Sequence, residues 1–212
     1  MIYSENIFVA IAAPLIIALF LIRGETRRFI GFFICGLLAC LLGAYINAFL
    51  ALAAGMGATE AAVKLTPISE ELLKAVPVLF YVAAVKPDRD SLVTSALAVG
   101  LGFATFENAC MLMQVGTSDF LFALLRGLVA GVTHAACAAL LGYGLVFISD
   151  KKYKHLLFPG TLGIFCAVTV FHATYNLLVT ADKGWQGAGY ALPLLMTLAI
   201  LLWRKRVEMK TE

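Results

Sequence analysis

Long apolar runs, each close to the length of a membrane-spanning helix, constrain this chain more than any other feature. A helix crosses a hydrocarbon layer of about 30 Å with about 20 apolar residues. About seven such runs follow one another, near 6–22, 29–54, 67–85, 91–114, 120–148, 156–180 and 188–203. The chain is 62% hydrophobic and 14% charged, against about 45–50% and about 25% for soluble domains. At 212 residues that excess cannot be a larger core. The predicted fold is therefore all-α: a polytopic helical membrane protein with about seven transmembrane helices. No linker, repeat or low-complexity tract interrupts the chain, so 1–212 reads as a single integral-membrane domain. The second and fifth runs exceed the needed length and are expected to tilt or protrude.

Basic residues set the expected orientation. Arg23, Arg27 and Arg28 follow the first run, and Lys86 and Arg89 the third. Lys151, Lys152 and Lys154 follow the fifth, and Arg204, Lys205, Arg206 and Lys210 the seventh. The alternate loops carry only Lys64 and Lys183. Because cytoplasmic loops concentrate Lys and Arg, the N-terminus is expected outside and the C-terminus in the cytoplasm. Trp185 and Tyr190 would then mark the outer interface and Trp203 the inner one. The first run lacks a basic segment before it and a small-residue cleavage site after it, so it is expected to be a retained span. The expected location is a cell membrane, with multiple passes, of the bacterial inner-membrane type. Cys35, Cys40, Cys110, Cys137 and Cys166 all fall in apolar runs without a CxxC pair, and read as small buried hydrophobes. The basic residues gather at the membrane edge, which excludes a nucleic-acid partner.

Against this background the ionisable residues inside the runs stand out. Glu70, Glu71 and Lys74 lie in the third, Glu107 in the fourth, Arg126 and His134 in the fifth, and His172 with Asn176 in the sixth. At about 1.5 Å per residue, Glu107 and His172 each lie roughly 24 Å along their runs, and all these groups fall at middle to outer depth. Glu70 and Lys74 share a helix face, as do Phe103 and Glu107, and His172 and Asn176. Glu70 and Glu71 are about 100° apart on a helix, so one is expected to face a site and the other to support it.

Each signal has a plainer explanation. Thr66 can cap a helix, Pro67 suits its first position, and acidic residues there complement the dipole. Lys74 can snorkel or pair with Glu70. Glu107 can be a structural carboxyl, His134 and His172 can bridge helices, and Arg126 can reach the interface. His155 sits among lysines and reads as solvated. Together the plain readings fail. Glu70, Glu71, Lys74, Glu107 and Arg126 unpaired in lipid would cost roughly 12–17 kcal/mol, while net stability is about 5–15 kcal/mol. They must cluster, share protons or meet water. The glycine pairs Gly127 and Gly131, Gly100 and Gly102, and Gly142 and Gly144 read as close helix contacts.

The ordered set EExxK (Glu70, Glu71, Lys74), FxxxEN (Phe103, Glu107, Asn108), His134 and HxxxN (His172, Asn176) resembles the PrsW family of intramembrane proteases. That family is similar in turn to the CAAX prenyl endopeptidases and bacteriocin-processing membrane proteases. The motifs cover about 66–176. The wider group usually has histidine where this chain has Glu107, which favours the PrsW branch. The resemblance implies a glutamic-type endopeptidase that cuts single-span membrane proteins near the outer surface. Site-1 cleavage of an anti-sigma factor is the family role best known.

Amide hydrolysis needs an activated water, a stabilised oxyanion and a proton for the leaving amine. The catalytic set expected is Glu70, Glu71, Glu107, His134 and His172, with Lys74, Phe103, Asn108, Arg126 and Asn176 supporting. Glu70 or Glu71 would be the base and Glu107 would hold the same water. His172, oriented by Asn176, would stabilise the oxyanion, and His134 would donate to the leaving group. No cofactor is favoured. The alternative is zinc on Glu107, His134 and His172, without an HExxH motif to support it. The expected partners are a single-span membrane protein substrate and the lipid bilayer; a homo-oligomer stays open. A proton-coupled transporter or channel is the main alternative function, disfavoured because the inner halves of the runs are nearly free of ionisable groups. A non-catalytic receptor on the same scaffold is the third.

Overall fold

The computed structural model describes residues 3–116, 120–149 and 157–208. Lys151, Lys152, Lys154, His155 and Lys210 lie outside the described residues. Among the described residues the regular structure is entirely helical: α1 (Ser4–Leu21), α2 (Gly24–Ala53), α3 (Ala58–Lys64), α4 (Thr66–Val85), α5 (Arg89–Val115), α6 (Phe120–Leu125), a π-helical turn (Arg126–Ala130), α7 (Gly131–Ile148), α8 (Leu157–Thr180) and α9 (Lys183–Glu208). Six stretches are long and apolar enough to cross a membrane: Ser4–Leu21, Gly24–Ala53, Arg89–Gln114, Phe120–Ile148, Phe158–Thr180 and Gly184–Arg206. The expected third span, α4, has 20 residues but spends three of its positions on Glu70, Glu71 and Lys74, which is why apolarity alone does not mark it as a span.

Local chemistry explains the helix ends. Asp88 caps α5 by accepting from the Ser91 amide at 2.9 Å and the Ser91 hydroxyl at 2.5 Å. Gly116 closes α5 in the left-handed region at φ 61°, where glycine has no Cβ to clash. Pro67 occupies the first turn of α4, as expected, but Thr66 is not its cap. The Thr66 carbonyl accepts from the Ser69 hydroxyl at 2.9 Å, and Ser69 also bonds Asn47 on α2. The short helix α3 carries too few residues for a periodic signal and occupies what reads as a polar loop.

Helices α2 and α5 form the spine of the bundle because glycine lets their backbones touch. A Cβ on Gly36 would sit 2.1 Å from the Val99 carbonyl oxygen, and one on Gly102 would sit 2.1 Å from that of Phe33. Gly100 packs equally hard on α7, against the His134 carbonyl and Ala138. Gly142 and Gly144 also make the close contacts expected of them. Gly127 and Gly131 do not: a Cβ on either would meet nothing within 4 Å. Leu92, Ala96 and Val99 of α5 complete a core with Val78 of α4 and Leu141 and Leu145 of α7. A second core joins α1, α2 and α5 through Leu37, Phe103 and Phe106. All five cysteines are free; Cys40 and Cys137 are buried as expected, whereas Cys35 and Cys166 are exposed on outward helix faces.

Candidate active site

The ionisable residues meet inside the bundle. Glu70, Glu71, Lys74, His134 and His172 are all buried, with Lys74 at 1% exposure. Glu70 and Glu71 fall in the second turn of α4, not the first, so an interfacial helix start does not explain them. Helix α4 brings the carboxylates and the lysine, α5 brings Glu107, the π-helical turn brings Arg126, α7 brings His134 and α8 brings His172.

Glu71 is a hub. Its Oε1 accepts from Lys74 Nζ at 2.6 Å and from His172 Nδ1 at 2.7 Å. Lysine has no acceptor, so Lys74 Nζ, 3.0 Å from His134 Nδ1, donates to that nitrogen. The proton of His134 is then on Nε2, which lies 2.8 Å from Glu107 Oε2. The other Glu107 oxygen lies 2.8 Å from Arg126 Nη2. That pair is close but is not aligned as a hydrogen bond, and Arg126 Nε has no hydrogen-bond partner among the described residues. Phe103 roofs the cluster: its ring is 4.9 Å from the His134 ring and 4.8 Å from Lys74 Nζ, a cation–π contact away from water. The two imidazoles meet edge to face at 5.1 Å.

One carboxylate oxygen is left over. Glu70 Oε2 is buried without a hydrogen-bond partner and faces His172 Nε2 at 3.9 Å. Because His172 donates Nδ1–H to Glu71, its Nε2 presents a bare lone pair toward Glu70. The adjacent glutamates differ accordingly: Glu71 is paired with Lys74 and His172, whereas Glu70 Oε2 is left without a hydrogen-bond partner among the described residues. The i,i+4 partnership of Lys74 with Glu70 gives way to the i,i+3 partnership with Glu71.

Asn176 does not orient His172, contrary to expectation: its Nδ2 donates to the Ala62 carbonyl at 2.8 Å and ties α8 to α3. Glu71 holds the imidazole instead. Asn108 lies partly buried, and its Oδ1 has no hydrogen-bond partner among the described residues. Two further residues reach the cluster. Cys137, one turn beyond His134 on α7, is fully buried beside Glu71 and Lys74. Tyr175, three residues after His172, is 5% exposed and touches Thr133 close to Arg126. Both lie at helical spacing from a histidine, the one sequence signal that points to them.

Glu70, His134 and His172 each offer a ligand atom, and these atoms lie within 4.8 Å of one another. Two histidines and a carboxylate are a known donor set for catalytic zinc. The Glu71–His172 bond is the outer contact that fixes the tautomer of a ligating histidine. Glu70 Oε2 and His172 Nε2 are ready donors, whereas His134 would give up its contact with Lys74 or with Glu107 to bind a metal. Tetrahedral zinc with bonds of about 2.0–2.2 Å would hold its ligand atoms about 3.4 Å apart, so a set spread over as much as 4.8 Å would have to draw in by about 1 Å. Glu107, expected in that set, is engaged with His134 and Arg126 instead.

Comparison with known families places this arrangement. The sequence model of a family described as "PrsW family intramembrane metalloprotease" matches residues 12–203, and the chain belongs to that family. It is a multi-pass membrane protein of an intramembrane protease family. Comparison with curated proteins and with solved structures gives no match.

Proposed function

We propose that the chain is an endopeptidase that hydrolyses peptide bonds of single-span membrane proteins within the bilayer, with Glu70 as the general base. The observation that carries this is the unpaired Glu70 Oε2 facing the bare His172 Nε2, in a cluster where Glu71 and Glu107 each hold a hydrogen-bonded partner. Glu70 takes the proton of the attacking water. Glu71 supports that geometry from behind by fixing His172 and Lys74. The unpartnered Arg126 Nε–H and the ammonium of Lys74 are the cationic donors available to a developing oxyanion. His134, whose Nε2–H is held by Glu107, is the proton donor for the leaving amine.

Charge balance supports either of two ways of completing the site. Three carboxylates against Lys74 and Arg126 leave one negative charge, which a proton cancels, as does a divalent cation with a hydroxide. A divalent cation would be held by Glu70, His134 and His172 and would supply Lewis-acid polarisation and an acidified water; the base and acid roles given above to Glu70 and His134 belong to the metal-free form. The family description and the unpaired Glu70 oxygen favour the metal form; the doubly engaged His134 favours the metal-free form.

In this reading α4 is also a span, the third of seven in chain order, the N-terminus is outside, and the cluster lies toward the outer side. That placement suits site-1 cleavage of an anti-sigma factor. The test is N-terminal peptide profiling of host membranes carrying the wild type or a Glu70→Gln, Glu107→Gln double variant at equal abundance. New termini near the outer ends of single-span proteins, present only with wild type, are expected. Identical profiles under several envelope stresses overturn the reading. Chelation of the purified wild type, followed by zinc add-back, then separates the two forms: reversible loss of cleavage assigns the metal, and full retention assigns the metal-free site.

A further inference from the structure

A groove of about 830 Å³ runs between α7, α8 and α9, and none of the carboxylate–histidine residues lines it. Its walls include Tyr143, Phe147, Gly163, Ile164, Ile200 and Trp203, and they are almost wholly apolar. Phe147 and Trp203 are exposed along it, so it faces the surroundings of the bundle. On α7 it extends from Leu140 to Ile148, a rise of about 12 Å that begins about 9 Å beyond His134. The volume is that of a small-molecule site, and Gly163 leaves its centre open: a Cβ there would meet nothing within 4 Å.

A second, polar pocket joins it at one end. Asp88, Arg89, Asp90, Tyr143 and Arg204 line that pocket, so Tyr143 borders both. The Tyr143 ring packs edge-on against Trp203 at 5.3 Å, and the Arg89 guanidinium lies 6.0 Å from its centre. Amphipathic rings occupy this boundary between hydrocarbon and headgroups in membrane proteins. Apolar groove, aromatic boundary and charged pocket therefore follow in the order of a lipid's own parts.

The charges select among lipids. Two guanidinium groups suit a phosphodiester, which they bind through paired N–H donors. Two carboxylates stand beside them, and a purely anionic headgroup would leave both facing negative charge. A headgroup with a phosphate and a primary ammonium matches both pairs, and its N–H donors suit the carboxylates better than a quaternary amine does. Asp88 remains an acceptor throughout, because the Ser91 hydroxyl and amide hold its carboxyl below the usual carboxylate range.

We propose that this face binds one glycerophospholipid of the phosphatidylethanolamine class, with an acyl chain in the α7–α8–α9 groove and the headgroup among Asp88, Arg89, Asp90 and Arg204. The seat abuts the two helices that carry His134 and His172, so its occupant braces the scaffold of the cluster without touching it.

The full chain, purified in mild detergent, is incubated with an equimolar mixture of phosphatidylethanolamine, phosphatidylglycerol and phosphatidylcholine of identical acyl chains. Retained lipid is then counted by native mass spectrometry. One phosphatidylethanolamine per chain is expected, enriched about fivefold or more over the other two. Gly163→Phe fills the groove and is expected to lower total retained lipid about fivefold. Asp90→Asn removes an ammonium partner and is expected to abolish the preference over phosphatidylglycerol. Equal retention of the three lipids, preference for phosphatidylglycerol, or undiminished binding to a folded Gly163→Phe variant overturns the proposal. If Gly163→Phe fails to fold, Asp90→Asn, at an exposed position, decides alone: an unchanged preference overturns it.

Discussion

His172 and Glu71 meet at 2.7 Å although 101 positions separate them in the chain. That bond closes α8 onto α4 at the centre of the bundle. It also bears on its neighbours, since it fixes the His172 tautomer, while Glu70 Oε2 is left without a hydrogen-bond partner among the described residues. The same oxygen of Glu71 accepts from Lys74, so one carboxylate compensates a buried ammonium and orients the His172 imidazole together.

The Glu71–Lys74 pair should therefore behave as a buried ion pair whose halves cannot be removed singly. Their side chains are 3% and 2% exposed. Glu71→Gln leaves the ammonium uncompensated and is expected to cost about 3–5 kcal/mol. The double variant Glu71→Gln, Lys74→Met is expected to regain most of that stability while remaining inactive, because His172 is no longer held. Thermal unfolding in detergent, with cleavage measured in parallel, checks both halves. A stable Glu71→Gln single variant would show that the pair is not a compensated unit.

Helix packing gives a second prediction. Gly102→Ala drives a Cβ into the Phe33 carbonyl, 2.1 Å away, and α2 and α5 must separate. Overpacking of this kind costs about 1–3 kcal/mol. Gly31→Ala on the same α2–α5 pair meets nothing within 4 Å and is expected to be neutral or mildly stabilising, since alanine is the better helix former by about 0.5–1 kcal/mol. Denaturant or thermal midpoints of the two variants should move in opposite directions; equal shifts would mean that the backbone contact does not limit the packing.

Much of this arrangement was legible in the residues. Apolar length located the helices, and matching depth collected Glu70, Glu71, Glu107, His134 and His172, because ionisable groups in lipid must find one another. What the chain could not reveal was pairing. Whether Lys74 meets Glu70 or Glu71 depends on where α7 and α8 stand, and periodicity along α4 allows both. Asn176 shares a face with His172 yet bonds Ala62, since the short α3 that offers the carbonyl has no sequence signature. Gly127 and Gly131 match a helix-packing motif, but among the described residues no neighbouring helix comes within 4 Å of a Cβ at either, which depends on where the other helices stand. A π turn follows from a one-residue excess over the α register, which only the docking of Arg126 and His134 at the same time reveals.

Acid should loosen the α4–α5 connection by a definable route. The Ser91 hydroxyl and amide hold the Asp88 carboxyl below its ordinary range. A depressed folded-state value means that its contribution is present above the unfolded carboxylate pKa, about 3.9, and is lost as pH falls through the folded value. The wild-type thermal midpoint is expected to fall more steeply below about pH 4 than that of Asp88→Asn, which keeps a cap acceptor but has no titrating charge. Parallel curves for the two proteins between neutral and acid pH would remove Asp88 from the acid response.

The π-helical turn sets the phase between Arg126 and His134. In a continuous α-helix each residue adds about 100° of rotation, and the π turn inserts one residue beyond that register, as such turns often do at functional sites. With the insertion, Arg126 Nη2 stands 2.8 Å from Glu107 while His134 Nε2 stands 2.8 Å from the other oxygen of the same carboxylate. Deleting Gly127 restores the α register and turns Arg126 about 100° away. His134 stays in place, because Gly100 pins α7 to α5 at that level. Glu107 then keeps His134 but loses its cation, and cleavage is expected to fall by about tenfold or more, about 1.4 kcal/mol of transition-state stabilisation. Gly127→Ala, which meets nothing within 4 Å, preserves the residue count and is expected to retain activity. Cleavage rates of the two variants at equal helicity separate phase from composition. An active deletion variant would show that Arg126 is dispensable to the reaction.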